Sequence, residues 1–479
     1  MTKKPSPSYS FRISLEMPEG TASLSRLMAA LGKAGSEIWE MKVISQDEGR
    51  ITREILIQAP DSDTERKTID GVKNLEGFRL LEVIDCTFHL HRGGKIELAN
   101  KIPLQNRQDL AMAYTPGVAR ICLVIKEDID RALDLTIKKN AVAIVTDGTA
   151  VLGLGDIGPT AALPVMEGKA MLFKSFGGID AFPICLNTKD PEEIISAVKW
   201  LAPVFGGINL EDISAPRCFE IEQRLKKELD IPVFHDDQHG TAVVILAALI
   251  NALKLVNKHL EEISVVVCGL GAAGMASISL LFAAGVRRII GCDRNGILYR
   301  GRQEDMNPFK AALALKTNPE GRKGGLYNAL QGADVFIGLS KPALLQGKDI
   351  AGMARDPIVF AMANPIPEIM PEEAQPYAAV VATGRSDYAN QVNNVLCFPG
   401  LFRGVLDCHA RDINEAMLLA AVHAIASSVK AGELKRDQII PSIFDATVHS
   451  RVAAAVREAA HNSGVARSRK AYVSPMKSG

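Results

Sequence analysis

Two periods of apolar residues alternate along the first part of the chain. SFRISLEM (10–17), IWEMKVIS (38–45), ITREILIQA (51–59) and FRLLEVIDCTFHLH (78–91) read as strands, whereas TASLSRLMAALGKAG (21–35) and DTERKTIDGVKNL (63–75) space their apolar residues as helices do. From about Tyr9 to His91 this order predicts a βαββαβ unit. From about Asp109 to Asp230 the character changes to buried strands, VAIVTDG and FPICLN, and an amphipathic helix, PEEIISAVKWLAPVF. An apolar helix, TAVVILAALINALKLV, leads into further strands, SVVV, RRIIGCD, DVFIGLS and PIVFAMAN. The pattern turns helical from about Asp412 to Ser463, and both ends, MTKKPSPSYS and ARSRKAYVSPMKSG, read as frayed tails. No repeat of solenoid period is present.

The N-terminal order, with a Pro-Glu-Gly turn at Pro18 to Gly20 ahead of the first helix, resembles the ACT family of small regulatory domains. That resemblance implies an effector site, often for an amino acid, at an interface between paired copies. The alternative is a ferredoxin-like module that only mediates dimer contacts.

One apolar run needs a test. No charged residue occurs from Ile263 to Val286, long enough for a bilayer-spanning helix. Gly269, Gly271 and Gly274 interrupt it, and a buried strand, turn and helix explain the same apolarity. No membrane partner is expected. Lys+Arg and Asp+Glu are both 55, so there is no basic excess to neutralise a phosphate backbone, and nucleic acid is not an expected partner. The eight cysteines lack zinc-site spacing and disulfide-scaffold density, and no apolar segment follows the N-terminal lysines; both point to a soluble, cytoplasmic protein.

Strand SVVV runs straight into Gly269-x-Gly271-x-x-Gly274 at the start of a helical pattern. The first glycine permits a tight turn, the second lets backbone approach a pyrophosphate, and the third lets helix and strand pack closely, with the helix N-terminus favouring the anion. The next strand ends in Asp293, near the spacing of a carboxylate that binds ribose hydroxyls, which favours NAD. Arg294 beside it could instead hold the 2′-phosphate of NADP, so NADP stays open.

Carboxylates and a lysine then gather in three segments: Glu211-Asp212 in GGINLEDISAP, Asp236-Asp237 in FHDDQHGTA, and Lys169 in ALPVMEGKAMLFK. Carboxylates on loops at strand ends suit a hard cation such as Mg²⁺ or Mn²⁺. Taken singly, the first pair also reads as a polar loop and the second as a helix cap.

YTPGVAR (114–120), TDGTAVLGLGDIGP (146–159), MEGKAMLFKSFGGID (166–180), NLEDI, FHDDQHGTA, GLGAAG, AMANPIPEI and NQVNNVLCFPG together resemble, in order, the malic enzyme family from about Lys95 to Gly400. The resemblance implies an L-malate substrate and a metal held by Glu211, Asp212 and Asp237. It implies Lys169 as base at the C2 hydroxyl, Asp236 as its proton-relay partner, and Tyr114 as the acid at C3. Asn364 and Asn394 would bind substrate, and Asn364 nicotinamide as well. A lysine base requires a lowered pKa, which a neighbouring dication and desolvation both favour.

Animal members carry an arginine for the substrate carboxylate where this chain has Ala150, which leaves the distal-carboxylate partner open. Two other functions fit the motifs: a malolactic enzyme, converting malate to lactate without net redox change, and a non-catalytic regulator responding to nucleotide or amino acid. The expected α/β architecture is an ACT-like module (1–90), a substrate and metal domain (91–240) and a Rossmann-like, doubly wound NAD(P)-binding domain with C-terminal helices (241–479). A homodimer is expected from the resemblance and from the prevalence of twofold assembly.

Overall fold

The computed structural model describes residues 5–467 except residue 152, so the C-terminal tail from residue 468 lies outside the described residues. It divides into two compact units, 1–99 and 100–479.

The first unit contains β1 (Ser10–Pro18), a helix (Thr21–Ala34), β2 (Glu37–Asp47), β3 (Arg50–Gln58), a second helix (Ser62–Lys73) and β4 (Arg79–Asp85). The strands form one antiparallel sheet of order β2-β3-β1-β4, the ferredoxin-like arrangement of a βαββαβ unit. Period-two alternation buries Phe11, Ile13, Leu15 and Met17 on one face, against Leu27 and Leu31 of the first helix and Val72 of the second. Each such side chain contributes about 1.5–3 kcal/mol by leaving water. Glu48 and Gly49 both take positive φ, 44° and 80°, which matches a tight hairpin turn to the twist of β2 and β3.

Two expectations change here. The strand predicted to reach His91 stops at Asp85, whose carboxylate accepts the Phe88 N–H (2.9 Å) and caps a helix, Cys86–His91. The expected N-terminal tail is not frayed at Ser6, whose N–H donates to Ala59 O (3.0 Å).

The second unit contains two sheets. β5 (Ala141–Thr146), β6 (Asp180–Cys185), β7 (Gly207–Leu210) and β8 (Val233–His235) pair in parallel in the order β6-β5-β7-β8. β5 is buried at every position, as befits a parallel strand covered on both faces. The second sheet contains β9 (Ser264–Cys268), β10 (Arg288–Asp293), β11 (Gly296–Ile297), β12 (Val335–Gly338), β13 (Ile358–Ala361) and β14 (Val380–Thr383), ordered β11-β10-β9-β12-β13-β14. All of its pairings are parallel except β10 with β11. Strand order reverses at β9, which pairs with β10 on one side and β12 on the other, and ligands of doubly wound sheets bind at that switch point.

The run Ile263–Val286 is β9 followed by a turn and the helix Ala272–Ala283. Among the described residues one helical stretch, Asp236–Val256, is long and apolar enough to cross a bilayer, and 67% of its most apolar window is buried inside the protein. The expected C-terminal helical stretch forms two helices, Glu415–Ala426 and Ala446–Asn462. A Cβ on Gly404 of helix Phe398–Asp407 would lie 2.5 Å from Ala453 O, so two of the C-terminal helices touch backbone to backbone. Arg467 is not frayed: it pairs with Asp130 (3.1 Å) and Asp230 (3.0 Å).

Candidate active site

The loops after β7 and β8 and the long helix Pro159–Gly177 bring the three charged segments together. Glu211 follows β7 directly, and Asp236 follows β8 in a short π-helical turn, Asp236–Gly240. Turns of that kind recur at functional sites. Lys169 Nζ lies 2.8 Å from Glu211 Oε1 and 2.5 Å from Asp236 Oδ2, and 4.3 Å from the centre of the Phe398 ring. Asn394 donates to the same oxygen of Asp236, and Asn209 donates to Glu211 Oε2 (2.7 Å). Gly240 is required by this packing, since a Cβ there would lie 1.9 Å from Asp236 Oδ1.

Glu211, Asp212 and Asp237 place one oxygen each within 4.8 Å of one another. Asp212 N–H donates to Asp237 Oδ2 (2.8 Å), with Asp212 at φ 54°. Asp212 Oδ2 and Asp236 Oδ1 are buried without a hydrogen-bond partner among the described residues. Burial raises all four carboxyls above their ordinary range, and mutual repulsion adds to it. A buried, oxygen-only, anionic set with unsatisfied oxygens fits a hard dication such as Mg²⁺ or Mn²⁺.

Lys169 differs from the expectation of a lowered pKa. Burial pushes it down, but Asp236 and then Glu211 outweigh that, so these side chains by themselves raise it. Two carboxylates at hydrogen-bonding distance hold the ammonium charged.

At the nucleotide turn, Gly269 takes φ 107°, and a Cβ on it would meet Leu339 O at 2.3 Å. A Cβ on Gly274 would meet Gly269 O at 1.8 Å, whereas nothing stands within 4 Å of that position on Gly271. The first and third glycines thus serve close packing, and the second leaves open space at the N-terminus of helix Ala272–Ala283, where a pyrophosphate is favoured.

Asp293 ends β10 with both oxygens engaged. Arg302 grips both (2.9 Å to Oδ1), Lys310 donates to Oδ2 (2.7 Å), and Asn295 N–H donates to Oδ1 (3.0 Å). Burial opposes its ionisation, but Arg302 and Lys310 hold its carboxyl down at about 2. Arg294, exposed, turns to Asp305 (2.9 Å), which also pairs with Lys310 (3.0 Å). Three cations therefore face two carboxylates where the adenosine ribose is expected.

Asn364 follows β13 and is exposed, its backbone oxygen 2.7 Å from where a Cβ on Gly153 would stand. The glycine loop after β5 and the loop after β13 thus meet. Tyr114 is not among the residues gathered around Lys169: it caps the C-terminus of helix Arg107–Ala113 and is 67% exposed. Ala150 lends only its backbone N–H, to Asp212 O (2.9 Å).

Asn209, Phe398, Arg302 and Lys310 escaped the sequence reading. Asn209, two residues before Glu211 in a buried strand, was detectable as a polar residue on an apolar face; the others carry no local signal.

A doubly wound sheet with a glycine turn at its switch point, beside a lysine–carboxylate cluster fit for a dication, defines a nicotinamide-dinucleotide-dependent oxidoreductase. The sequence model described as malic enzyme, N-terminal domain, matches residues 93–226, and that described as malic enzyme, NAD binding domain, matches residues 238–461. The chain belongs to the malic enzyme family. It is 60% identical over 455 residues to an NAD-dependent malic enzyme of Geobacillus stearothermophilus, covering 95% of each chain. It is 58% identical over 382 residues to a bifunctional malic/malolactic enzyme of Bacillus subtilis, covering 79% of this chain and 93% of the other. The crystal structure of an NAD-dependent malic enzyme from Thermotoga maritima superposes with a TM-score of 0.76 at 51% identity, covering 78% of this chain and 99% of that one.

Proposed function

We propose that this chain oxidises and decarboxylates L-malate to pyruvate and CO2 while reducing NAD, with NADP as a second acceptor. The observation that carries the reading is the placement of Lys169 between Glu211 and Asp236, beside the Glu211–Asp212–Asp237 trio.

Glu211, Asp212 and Asp237 would hold the metal. When bound, it supplies Lewis-acid stabilisation of charge on the C2 oxygen, and its own charge disfavours the proton on Lys169. Lys169 takes the C2 hydroxyl proton as the C2 hydrogen leaves with its electron pair for the nicotinamide. Asp236, bound to Lys169 and Asn394, relays that proton onward. Loss of CO2 leaves an electron pair at C3, and Tyr114, the acid that the likeness to the family implies, would supply the proton that completes pyruvate, which requires it to reach the site from the exposed end of helix Arg107–Ala113. Asn364, at the meeting of two loops, would orient substrate or nicotinamide. Three cations around Asp293 support tolerance of a 2′-phosphate.

The chain would work as a homodimer in the cytoplasm. The dimer is supported by exposed Leu110, Met112 and Leu123, an apolar set that a partner would cover. The cytoplasm is supported by eight free cysteines, five of them buried. The N-terminal βαββαβ unit would act as an ACT-like regulatory module for a small-molecule effector. Likeness to the bifunctional malic/malolactic enzyme of Bacillus subtilis makes a malolactic activity, malate to lactate without net redox change, the alternative reading.

Incubation with L-malate, Mn²⁺ and NAD or NADP tests the reading. It predicts pyruvate in step with reduced cofactor; lactate with no reduced cofactor contradicts it, and unconsumed malate removes both readings.

A further inference from the structure

The segment AMANPIPEI contains one acid whose purpose the chemistry above does not use. Glu368 is completely buried. Its Oε1 accepts the N–H of Ser340 (2.9 Å), and its Oε2 accepts the N–H of Ala363 (3.0 Å). These two amides belong to different loops, one after β12 and the other after β13. The chain makes room for the carboxylate: a Cβ on Gly338, the last residue of β12, would lie 2.5 Å from Glu368 Cδ. Backbone bonds reinforce the junction, with Ala343 N–H to Pro367 O and Leu345 N–H to Glu368 O, both 3.0 Å.

Each stapled loop touches a different end of the dinucleotide site. The Ser340 loop packs on the glycine turn: Leu339 O would be 2.3 Å from a Cβ on Gly269, and Ser340 Oγ lies 3.6 Å from Cys268 Sγ. Ala363 precedes Asn364, which meets the Gly153 loop. We infer that Glu368 is a positioning residue that fixes the spacing between the pyrophosphate turn and the Asn364 loop, so that the enzyme is preorganised for the dinucleotide before it binds. This rests on the dinucleotide-dependent reading above. The Ala363 N–H is buried and the Ser340 N–H part-buried, and the two oxygens of one carboxylate serve both at once; a donor that loses its acceptor there is costly. An amide at this position can accept from one and must point its own N–H at the other.

The test is NADH binding by fluorescence titration of the full-length wild type and Glu368→Gln, with Mn²⁺ affinity measured on the same samples. The staple predicts an NADH Kd weaker by about tenfold or more, a KM for NAD raised more than kcat is lowered, and unchanged Mn²⁺ affinity. Unchanged NADH affinity in a folded variant overturns it. Gly338→Ala, which displaces the carboxylate while keeping it, is expected to weaken NADH in the same way. Should neither variant fold, hydrogen exchange on the wild type decides. Ser340 and Ala363 amides as well protected without NADH as with it support the staple, and free exchange without NADH overturns it. A wild type that does not bind NADH removes the dinucleotide reading itself, an outcome distinct from loss in the variants alone.

Discussion

Lys169 and Asp236 meet at 2.5 Å, both buried, one from the helix that follows the glycine loop and the other from the turn after β8. Removing one partner of such a pair strands the other, so the pair holds this corner of the site as well as moving a proton. Lys169→Ala is expected to lower malate turnover by about 10²–10⁴-fold, the usual range for a lost general base. NADH binding should persist, because the glycine turn lies on a separate sheet; steady-state kinetics and NADH titration check the two halves.

Tyr114→Phe is expected to separate the two chemical steps. Pyruvate formation should fall by about 10²–10⁴-fold, while reduction of oxaloacetate by NADH, which needs no proton at C3, continues. Product analysis alongside a nicotinamide absorbance assay reads both, and equal loss of both would remove Tyr114 from that role.

The acidic cluster predicts how pH changes metal binding. Glu211 and Asp236 are raised to about 7, Asp237 to about 6 and Asp212 to about 9, in each case first by burial. Because folded values lie above unfolded ones near 4, the stability these groups contribute is fully present below about pH 4 and is lost as pH rises from there through the folded values of about 6 to 9. A dication binds their ionised forms and restores what is lost. The rise in Tm on adding Mg²⁺ should therefore grow between pH 5.5 and pH 8, measured by calorimetry at fixed ionic strength; a rise independent of pH would contradict the cluster as ligand set.

Lys310 bonds both Asp293 and Asp305, where the ribose end of the cofactor is expected. Lys310→Ala should raise the KM for NADP by about tenfold or more, the scale of one charged hydrogen bond, with a smaller change for NAD. Equal changes for both cofactors would place the 2′-phosphate elsewhere.

Most of the fold was legible because its signals are local. The period of two in SFRISLEM, the strand-to-glycine passage at Gly269 and the apolar run of helix Thr241–Val256 each follow from neighbouring residues. The end of β4 was not legible: CTFHLH alternates like a strand, and only the Asp85 cap turns it into helix. In the site, the acids and Lys169 were found through their motifs. Their mutual distances depend on two separate strand ends and one long helix and had to come from the fold. Glu368 was missed because its partners are backbone amides, which leave no trace in side-chain pattern, although a single acid between Pro-Ile-Pro and Ile-Met is a usable sign. The pairing of Asp293 with Arg302 and Lys310 crosses a loop whose path the sequence does not specify.

The most direct test of the central claim follows L-malate, pyruvate, lactate and reduced nicotinamide together in one reaction with purified enzyme, Mn²⁺ and NAD. The account predicts one pyruvate and one NADH for each malate consumed, and loss of both products in Lys169→Ala. Malate consumed to lactate without NADH, or turnover unchanged in Lys169→Ala, would contradict it.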